Sequence, residues 1–142
     1  EAERLLQALP PGSRLGYSAV HAGGEVQEAY REALIALKAA RPGEALSFAG
    51  LDPVAFVLLQ QSPADLKALV ERFPPLPPKL LRTLEVYMES ATLEEAARAL
   101  HIHPNTLRYR LKRVEERIGP LSAPETLARV HLALRARSLL VG

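Results

Sequence analysis

Residues 92–119 read TLEEAARALHIHPNTLRYRLKRVEERIG, and this stretch decides the fold of the C-terminal part of the chain. Thr92 followed by Glu95 has the spacing of a capping box, in which a hydroxyl and a carboxylate satisfy free backbone N–H groups at a helix start. A first helix is therefore predicted over 93–100. Its apolar face, at helical spacing, consists of Leu93, Ala96, Ala97 and Leu100. The two alanines are small at the point where a second helix must approach closely.

A short turn separates this helix from a second one. The turn comprises residues 101–103 with Ile102 as its apolar plug, and Pro104 suits the first position of a helix because its missing N–H costs nothing there. The second helix is predicted over about 104–118. His101 begins the turn where many helix-turn-helix units have glycine, and His tolerates a positive φ better than most residues do. The pattern therefore predicts a helix-turn-helix.

The second helix has two different faces. One is an apolar stripe at the spacing i, i+4, i+7 and i+11, formed by Leu107, Leu111, Val114 and Ile118. The opposite face carries groups that can contact base edges or phosphates: Asn105, Thr106, Arg108, Tyr109, Lys112 and Arg113. No acidic residue occurs between Pro104 and Val114. A solvated basic helix face has the same charge, but the capping box, the small residues and the short turn together favour binding of double-stranded DNA.

The sequence of residues 103–119, HPNTLRYRLKRVEERIG, resembles the C-terminal helix-turn-helix of the PucR and CdaR (sugar-diacid regulator) family of bacterial transcription factors. It is similar, more distantly, to the helix-turn-helix of the nucleoid protein Fis. The resemblance implies groove contacts by Asn105, Thr106, Arg108 and Tyr109. It also implies phosphate contacts by Thr92, Lys112 and Arg113. We add His103, at the start of the second helix, to the predicted DNA-binding residues.

Composition bounds the class of protein. The chain has 142 residues, of which 48% are hydrophobic, and this is enough for one core or two small ones in a soluble globular protein. The longest apolar run, residues 54–59, is too short to cross a bilayer. The absence of cysteine excludes disulfides and is compatible with a cytoplasmic protein. The chain begins with Glu1 and not with Met, so we expect it to be a piece of a longer protein.

Charge is segregated along the chain, although the formal net charge is only +2. Residues 1–97 contain 9 Lys/Arg and 13 Asp/Glu, whereas residues 98–142 contain 9 and 3. A module that binds a polyanion and is attached to a more acidic domain has this distribution. Lipid phosphate would attract the same charges, but the second helix lacks a free apolar face able to insert into a membrane. We therefore expect DNA, and no membrane, as the partner.

Residues 1–73 are predicted to form a small α/β domain. Strands are predicted over 14–20 and 45–48, and helices over 26–40, 52–60 and 64–73. The helix over 26–40 is predicted to direct Val26, Tyr30, Ala33, Leu37 and Ala40 inward. Two strands make a marginal sheet, which upstream residues or a second copy of the chain would complete. The region resembles the later half of the GGDEF-like domain that precedes the helix-turn-helix in CdaR-type regulators, and this resemblance places small-molecule effector recognition in the missing upstream region.

The string Gly23-Gly24-Glu25-Val26 resembles the active-site string of nucleotide cyclases of the GGDEF class. In those enzymes the string lies on a hairpin between strands, whereas here helix-forming residues 27–33 follow at once. A Gly-Gly turn that enters a helix is therefore the preferred interpretation. No Asp/Glu pair elsewhere is placed to hold Mg²⁺, and no nucleophile motif occurs. We predict no catalytic residues and no enzyme activity.

The histidines offer only a weak metal-binding pattern. His101 and His103 flank Ile102 and could be joined by His21 or His131, but an H-x-H pair in a turn, without cysteine or nearby carboxylates, is rarely a metal site. Turn and capping roles are the preferred interpretation. We predict no metal and no cofactor.

The Pro-rich residues 74–78, PPLPP, are predicted to be a stiff linker, although a ligand for a proline-reading domain has the same composition. Residues 79–142 are then a four-helix domain, with further helices over 79–90 and from 122–125 to about 140. We predict turns of five residues or fewer and one core containing Leu80, Leu84, Leu93, Ala97, Leu107, Leu111, Val130 and Leu134. The last helix is apolar on more than one side, which favours a homodimer contact or packing against the upstream domain.

The expected fold is mainly α, with a small α/β N-terminal part and a C-terminal four-helix domain that contains the helix-turn-helix. The expected function is that of a sequence-specific DNA-binding transcriptional regulator, with residues 104–118 in the major groove. The alternative is a protein-interaction module that uses the basic helix face on an acidic protein. Binding to random-sequence DNA at low salt distinguishes the two.

Overall fold

The computed structural model describes residues 1–141. The helices are α1 Ala2–Gln7, α2 Val26–Ala39, α3 Pro53–Leu58, α4 Pro63–Glu71, α5 Pro78–Glu89, α6 Leu93–Ala99, α7 Pro104–Ile118 and α8 Pro124–Val141. The strands are β1 Leu15–Tyr17 and β2 Ala45–Ser47. Among these residues no helix is both long enough and apolar enough to cross a membrane. The fold is mainly helical with a small α/β N-terminal part, as predicted.

The chain divides into two compact units, residues 1–62 and residues from 63 onward. The structure therefore differs from the predicted organisation, in which residues 74–78 separate the domains. Phe73 and Leu76 pack against the hydrophobic core of the second unit, and Pro78 begins α5. Helix α4 packs against α8. The prolines make this segment extended, but the apolar side chains between them gain enough burial to attach it to the second unit.

The second unit has one hydrophobic core, and its composition confirms the prediction. The turns between α5, α6, α7 and α8 contain three, four and five residues. The predicted core residues that are buried are Leu84, Ala97, Leu107, Leu111 and Val130, and those partly buried against them are Leu80, Leu93 and Leu134. Ala96 and Ala97 are almost completely inaccessible to solvent, which allows α6 to approach α7. This core sets which face of α7 points outward.

The first unit is a β1–α2–β2 arrangement. Strands β1 and β2 are parallel, with Gly16 opposite Leu46, and each has only three residues. A Cβ atom at Gly16 would overlap the backbone of Ala33 and Leu37 in α2. Only glycine allows the strand and the helix to lie this close together.

The predicted inward face of α2 is only partly correct, because Ala40 is buried and Ala33 is partly buried but the other predicted residues are exposed. Val26 is 75% exposed and Tyr30 is 66% exposed, whereas the buried residues of α2 are Glu32, Ile35 and Ala36. Gly16 approaches the backbone of Ala33 and Leu37, which lie on the predicted face, whereas Glu32 is buried because it has polar partners. Neither contact is visible in the local hydrophobic pattern.

Candidate nucleic-acid interface

The start of α6 is held by Thr92. Its Oγ1 accepts a hydrogen bond from the backbone N–H of Glu95 at 3.1 Å, so Thr92 is the predicted N-cap. The Glu95 carboxylate accepts from the N–H of Ala91 at 3.1 Å, one residue earlier than in the predicted capping box. Both bonds fix the entry of the chain into the helix-turn-helix.

The turn between α6 and α7 adopts the conformation that the sequence predicts. His101 has a φ of 54°, and among the described residues it is the one non-glycine with a positive φ. The N–H of Ile102 donates to the carbonyl of Ala97 at 3.0 Å, and the Ile102 side chain packs against the core. The turn is therefore anchored by one hydrogen bond and one apolar side chain.

His103 is the N-cap of α7. Its Nδ1 accepts a hydrogen bond from the backbone N–H of Asn105 at 3.1 Å. An accepting Nδ1 carries no proton, so in the neutral ring the proton is on Nε2. Because His103 is exposed, that N–H is available to an external acceptor.

Helix α7 separates its two faces as predicted. Leu107, Leu111, Val114 and Ile118 are buried. The predicted contact residues of this helix are all exposed: Asn105, Thr106, Arg108, Tyr109, Lys112 and Arg113. Their contacts with DNA stay predictions. The structure establishes only that they share the outward side of one helix, whereas Thr92 lies at the start of α6.

Two hydrogen-bonded pairs organise the exposed face of α7. Arg108 Nη1 donates to Asn105 Oδ1 at 3.0 Å, and Arg113 Nη1 donates to the Tyr109 hydroxyl at 3.2 Å. Arg113 Nε also lies 3.5 Å from a carboxylate oxygen of Glu116. Exposed pairs of this kind contribute little stability. Both pairs place a guanidinium group on the outward side of the helix.

Sequence reasoning missed one exposed cation on α6. Arg98 lies three and four residues after Glu95 and Glu94, a spacing that normally predicts ion pairs. It has no ion pair or hydrogen-bonded side-chain partner within the described part of the chain, and the Glu95 carboxylate accepts instead from the N–H of Ala91. The Thr92–Glu95 spacing is the signal that could have indicated this.

The first unit contains a different polar cluster. His21 Nε2 lies 2.8 Å from Glu32 Oε2, and His21 Nδ1 lies 3.2 Å from Glu25 Oε2. The hydrogen bonds to Glu32 and then Glu25 raise the pKa of His21. Glu32 also accepts from the N–H of Ala19 at 3.1 Å. No group of three His, Cys, Asp or Glu side chains within residues 1–141 is arranged to hold a metal ion.

Comparison with known proteins identifies the helix-turn-helix. Residues 80–136 match the family model for the PucR C-terminal helix-turn-helix domain. The purine catabolism regulatory protein of Bacillus subtilis (strain 168) is 46% identical over 63 residues, which are 43% of this chain and 12% of that protein. Uncharacterized proteins of Mycobacterium tuberculosis and Mycobacterium bovis are 46% identical over 43 residues, covering 30% of this chain and 10% of theirs. No solved structure matches.

The match to the family model lies within the second unit. The aligned part of the chain covers 12% of the length of the Bacillus relative and 10% of the length of the mycobacterial relatives. Residues 80–136 therefore match a PucR-type helix-turn-helix domain, and this match supports a DNA-binding regulator in general terms.

Proposed function

We propose that the chain is part of a transcriptional regulator that recognises specific DNA sequences with α7 in the major groove. The observation that carries this is the exposed face of α7. Six polar or aromatic side chains share this face, and no acidic residue occurs from Pro104 to Val114. A major groove admits an α-helix and presents base-edge acceptors and donors to it. The acidic residues of this helix begin at Glu115, one turn before its end.

Arg108 is the proposed base-reading residue. Its guanidinium is oriented by the bond to Asn105 Oδ1, which leaves the Asn105 amide N–H groups unused by that contact. Both side chains then present donors outward. Guanine offers two acceptors, N7 and O6, on its major-groove edge, and arginine matches them with two N–H groups. Thr106 and Tyr109 are proposed to contact the neighbouring bases.

The remaining predicted residues are proposed to bind phosphates. Lys112 and Arg113 lie a turn beyond Arg108, and His103 retains an N–H donor on Nε2 at the start of the helix. The Thr92 hydroxyl accepts a bond from Glu95, and its own proton remains available to a phosphate oxygen. Such contacts fix the position of a protein on the duplex without reading sequence.

For the rest of the protein we propose the organisation that the sequence suggests. The parallel β1–α2–β2 arrangement is compatible with part of a GGDEF-like domain, and effector recognition would lie in a further region of a longer chain. A homodimer would present two recognition helices to two half-sites. Leu140 and Val141, which are exposed at the end of α8, support a dimer contact there.

A salt titration with two DNA duplexes tests the proposal. One duplex carries a site obtained by selection from a random pool, and the other has the same composition in scrambled order. Arg108→Ala should lose about 1–3 kcal/mol of binding free energy for the selected site and much less for the scrambled duplex. Lys112→Ala should lower the affinity for both duplexes equally, and it should lower the slope of log Kd against the logarithm of the salt concentration by about one.

Arg4→Ala is the matched control, because it removes one positive charge from the exposed surface of α1 in the first unit. It should leave the selected site and the scrambled duplex with nearly unchanged affinity. Failure to bind either duplex at low salt would overturn DNA binding and support the protein-interaction alternative. Equal losses for Arg108→Ala on both duplexes would remove its base-reading role.

A further inference from the structure

We propose that the second unit contains a binding site for a small organic carboxylate with an apolar body. The site is a groove of about 300 Å³ formed by the end of α4 and the segment that follows it, the end of α7 and the first half of α8. This volume is at the lower limit of small-molecule sites in proteins. The groove is distinct from the outward face of α7, and its function does not depend on the proposed base contacts.

The walls of the groove are mainly apolar. Leu69 and Phe73 line one side, and Ile118 and Leu132 line the other. Ile118 is 9% exposed and is the last residue of α7, whereas Leu132 is 36% exposed at the rim. An apolar ligand body would bury the remaining accessible surface of these side chains, which favours binding in proportion to the area removed from water.

Two arginines give the groove its charge. Arg72 and Arg129 both line it, and no acidic side chain does. Arg72 has no hydrogen bond or ion pair with any described residue, and Arg129 Nε donates only to the backbone carbonyl of Glu125, at 3.3 Å. Guanidinium groups without a carboxylate partner beside an apolar surface match an anionic ligand group, because charge-assisted hydrogen bonds are the strong ones.

Thr126 is a third polar group at this site. It lies on the first turn of α8 and is only 2% exposed, and its hydroxyl has no hydrogen bond to another described residue. No fully buried side-chain N or O atom within residues 1–141 lacks a partner, so the unpartnered Thr126 hydroxyl keeps some access to solvent, and Thr126 lines the groove. The Thr126 hydroxyl can donate a hydrogen bond to the same anionic group that the two arginines would bind.

A series of three probes with one apolar body tests this site. The probes are 4-phenylbutyrate, 4-phenylbutan-1-ol and 4-phenylbutylamine, titrated into ¹⁵N-labelled protein of the full chain. We expect 4-phenylbutyrate to bind, with amide shifts centred on Ile118, Thr126 and Leu132. The alcohol and the amine should bind at least about tenfold more weakly, since each loses the charge-assisted hydrogen bonds.

Variants identify the groups responsible. Arg129→Met keeps an apolar stem without the charge, and Thr126→Val keeps the shape without the hydroxyl. Each variant should bind 4-phenylbutyrate about fivefold or more weakly, and its affinity for the alcohol should be unchanged. Arg98→Met, on α6 and outside the groove, is the matched control and should bind like the original chain. If the Thr126 variant fails to fold, Arg72→Met, at an exposed position, replaces it and should likewise bind 4-phenylbutyrate more weakly.

Equal binding of all three probes would overturn the proposal, and so would shifts centred away from the groove. Absence of binding by 4-phenylbutyrate at millimolar concentration, or unchanged affinity in the arginine variants, would do the same. DNA titrations of the Arg129 variant report separately on the proposed function, because the groove residues are not among its predicted contacts.

Discussion

Helices α2 and α7 have nearly the same length, 14 and 15 residues, but they are held in place by different forces. Helix α7 buries four aliphatic side chains and exposes its polar ones. Helix α2 buries Glu32 beside Ile35 and Ala36, and exposes Val26 and Tyr30. The difference teaches that α7 depends on apolar packing, whereas the position of α2 depends in addition on a buried carboxylate and its partners.

The largest effect is expected from breaking the packing of α7. Leu107 is completely buried in the hydrophobic core, so Leu107→Ala should destabilise the second unit by about 2–5 kcal/mol through lost burial and a residual cavity. Amide hydrogen exchange of α7 under native conditions measures this. The matched control is Lys112→Ala, an exposed change on the same helix, for which less than about 0.5 kcal/mol is expected. A similarly small loss for Leu107→Ala would show that packing does not hold α7.

A smaller effect is expected from removing the buried carboxylate of α2. Glu32→Ala leaves the Ala19 N–H and His21 Nε2 without their acceptor, and should destabilise the first unit by about 1–3 kcal/mol. Hydrogen exchange of α2 amides at pH 6 provides the measurement. Glu28→Ala removes a carboxylate that is paired with Arg31 on the exposed side of the same helix, and should cost much less stability because exposed ion pairs contribute little. Equal losses for the two variants would contradict a special role for Glu32.

The smallest expected effect is a pH dependence of the stability of the first unit, which arises from the titration of His21. The hydrogen bonds to Glu32 and Glu25 raise the pKa of His21 above 6.5 in the folded state. The stabilisation is therefore fully present below the unfolded pKa, and it is lost as the pH rises through the raised folded pKa. Protection of α2 amides should fall over this interval, and NMR titration of the His21 ring should give a midpoint above 6.5.

His21→Gln is the control for this titration, because glutamine can hydrogen-bond but does not ionise near neutral pH. In that variant the component of the pH dependence due to His21 should disappear. A His21 midpoint at or below 6.5, or a His21→Gln variant with the original pH dependence, would refute the electrostatic contribution.

The same contrast explains how much of the structure could be predicted from the sequence. The stripe of Leu107, Leu111, Val114 and Ile118 follows from helical periodicity, because apolar packing alone decides the orientation of α7. In α2 the partner of the buried Glu32, His21, lies outside the helix, so periodicity within 26–40 did not predict that Glu32 is buried while Val26 and Tyr30 are exposed. A buried glutamate is recognisable only once its partners are known.

The candidate sites differ in the same way. The outward face of α7 could be predicted because all its residues lie on one helix, and the pair Asn105–Arg108 has the readable spacing i, i+3. The groove combines residues 69–74 with residues 118–133. Such a juxtaposition depends on tertiary packing of α4 against α8, for which no local pattern exists.

His101 has a consequence for how this sequence can change over evolutionary time. A positive φ costs a non-glycine residue about 1 kcal/mol, and His, Asn and Asp accept it more often than other residues do. Glycine removes that cost, but its greater freedom in the unfolded chain makes folding less favourable by about 0.5–1 kcal/mol. The two contributions nearly cancel. Position 101 can therefore drift among histidine, asparagine and glycine as a nearly neutral series, while the path of the backbone from α6 to α7 is retained.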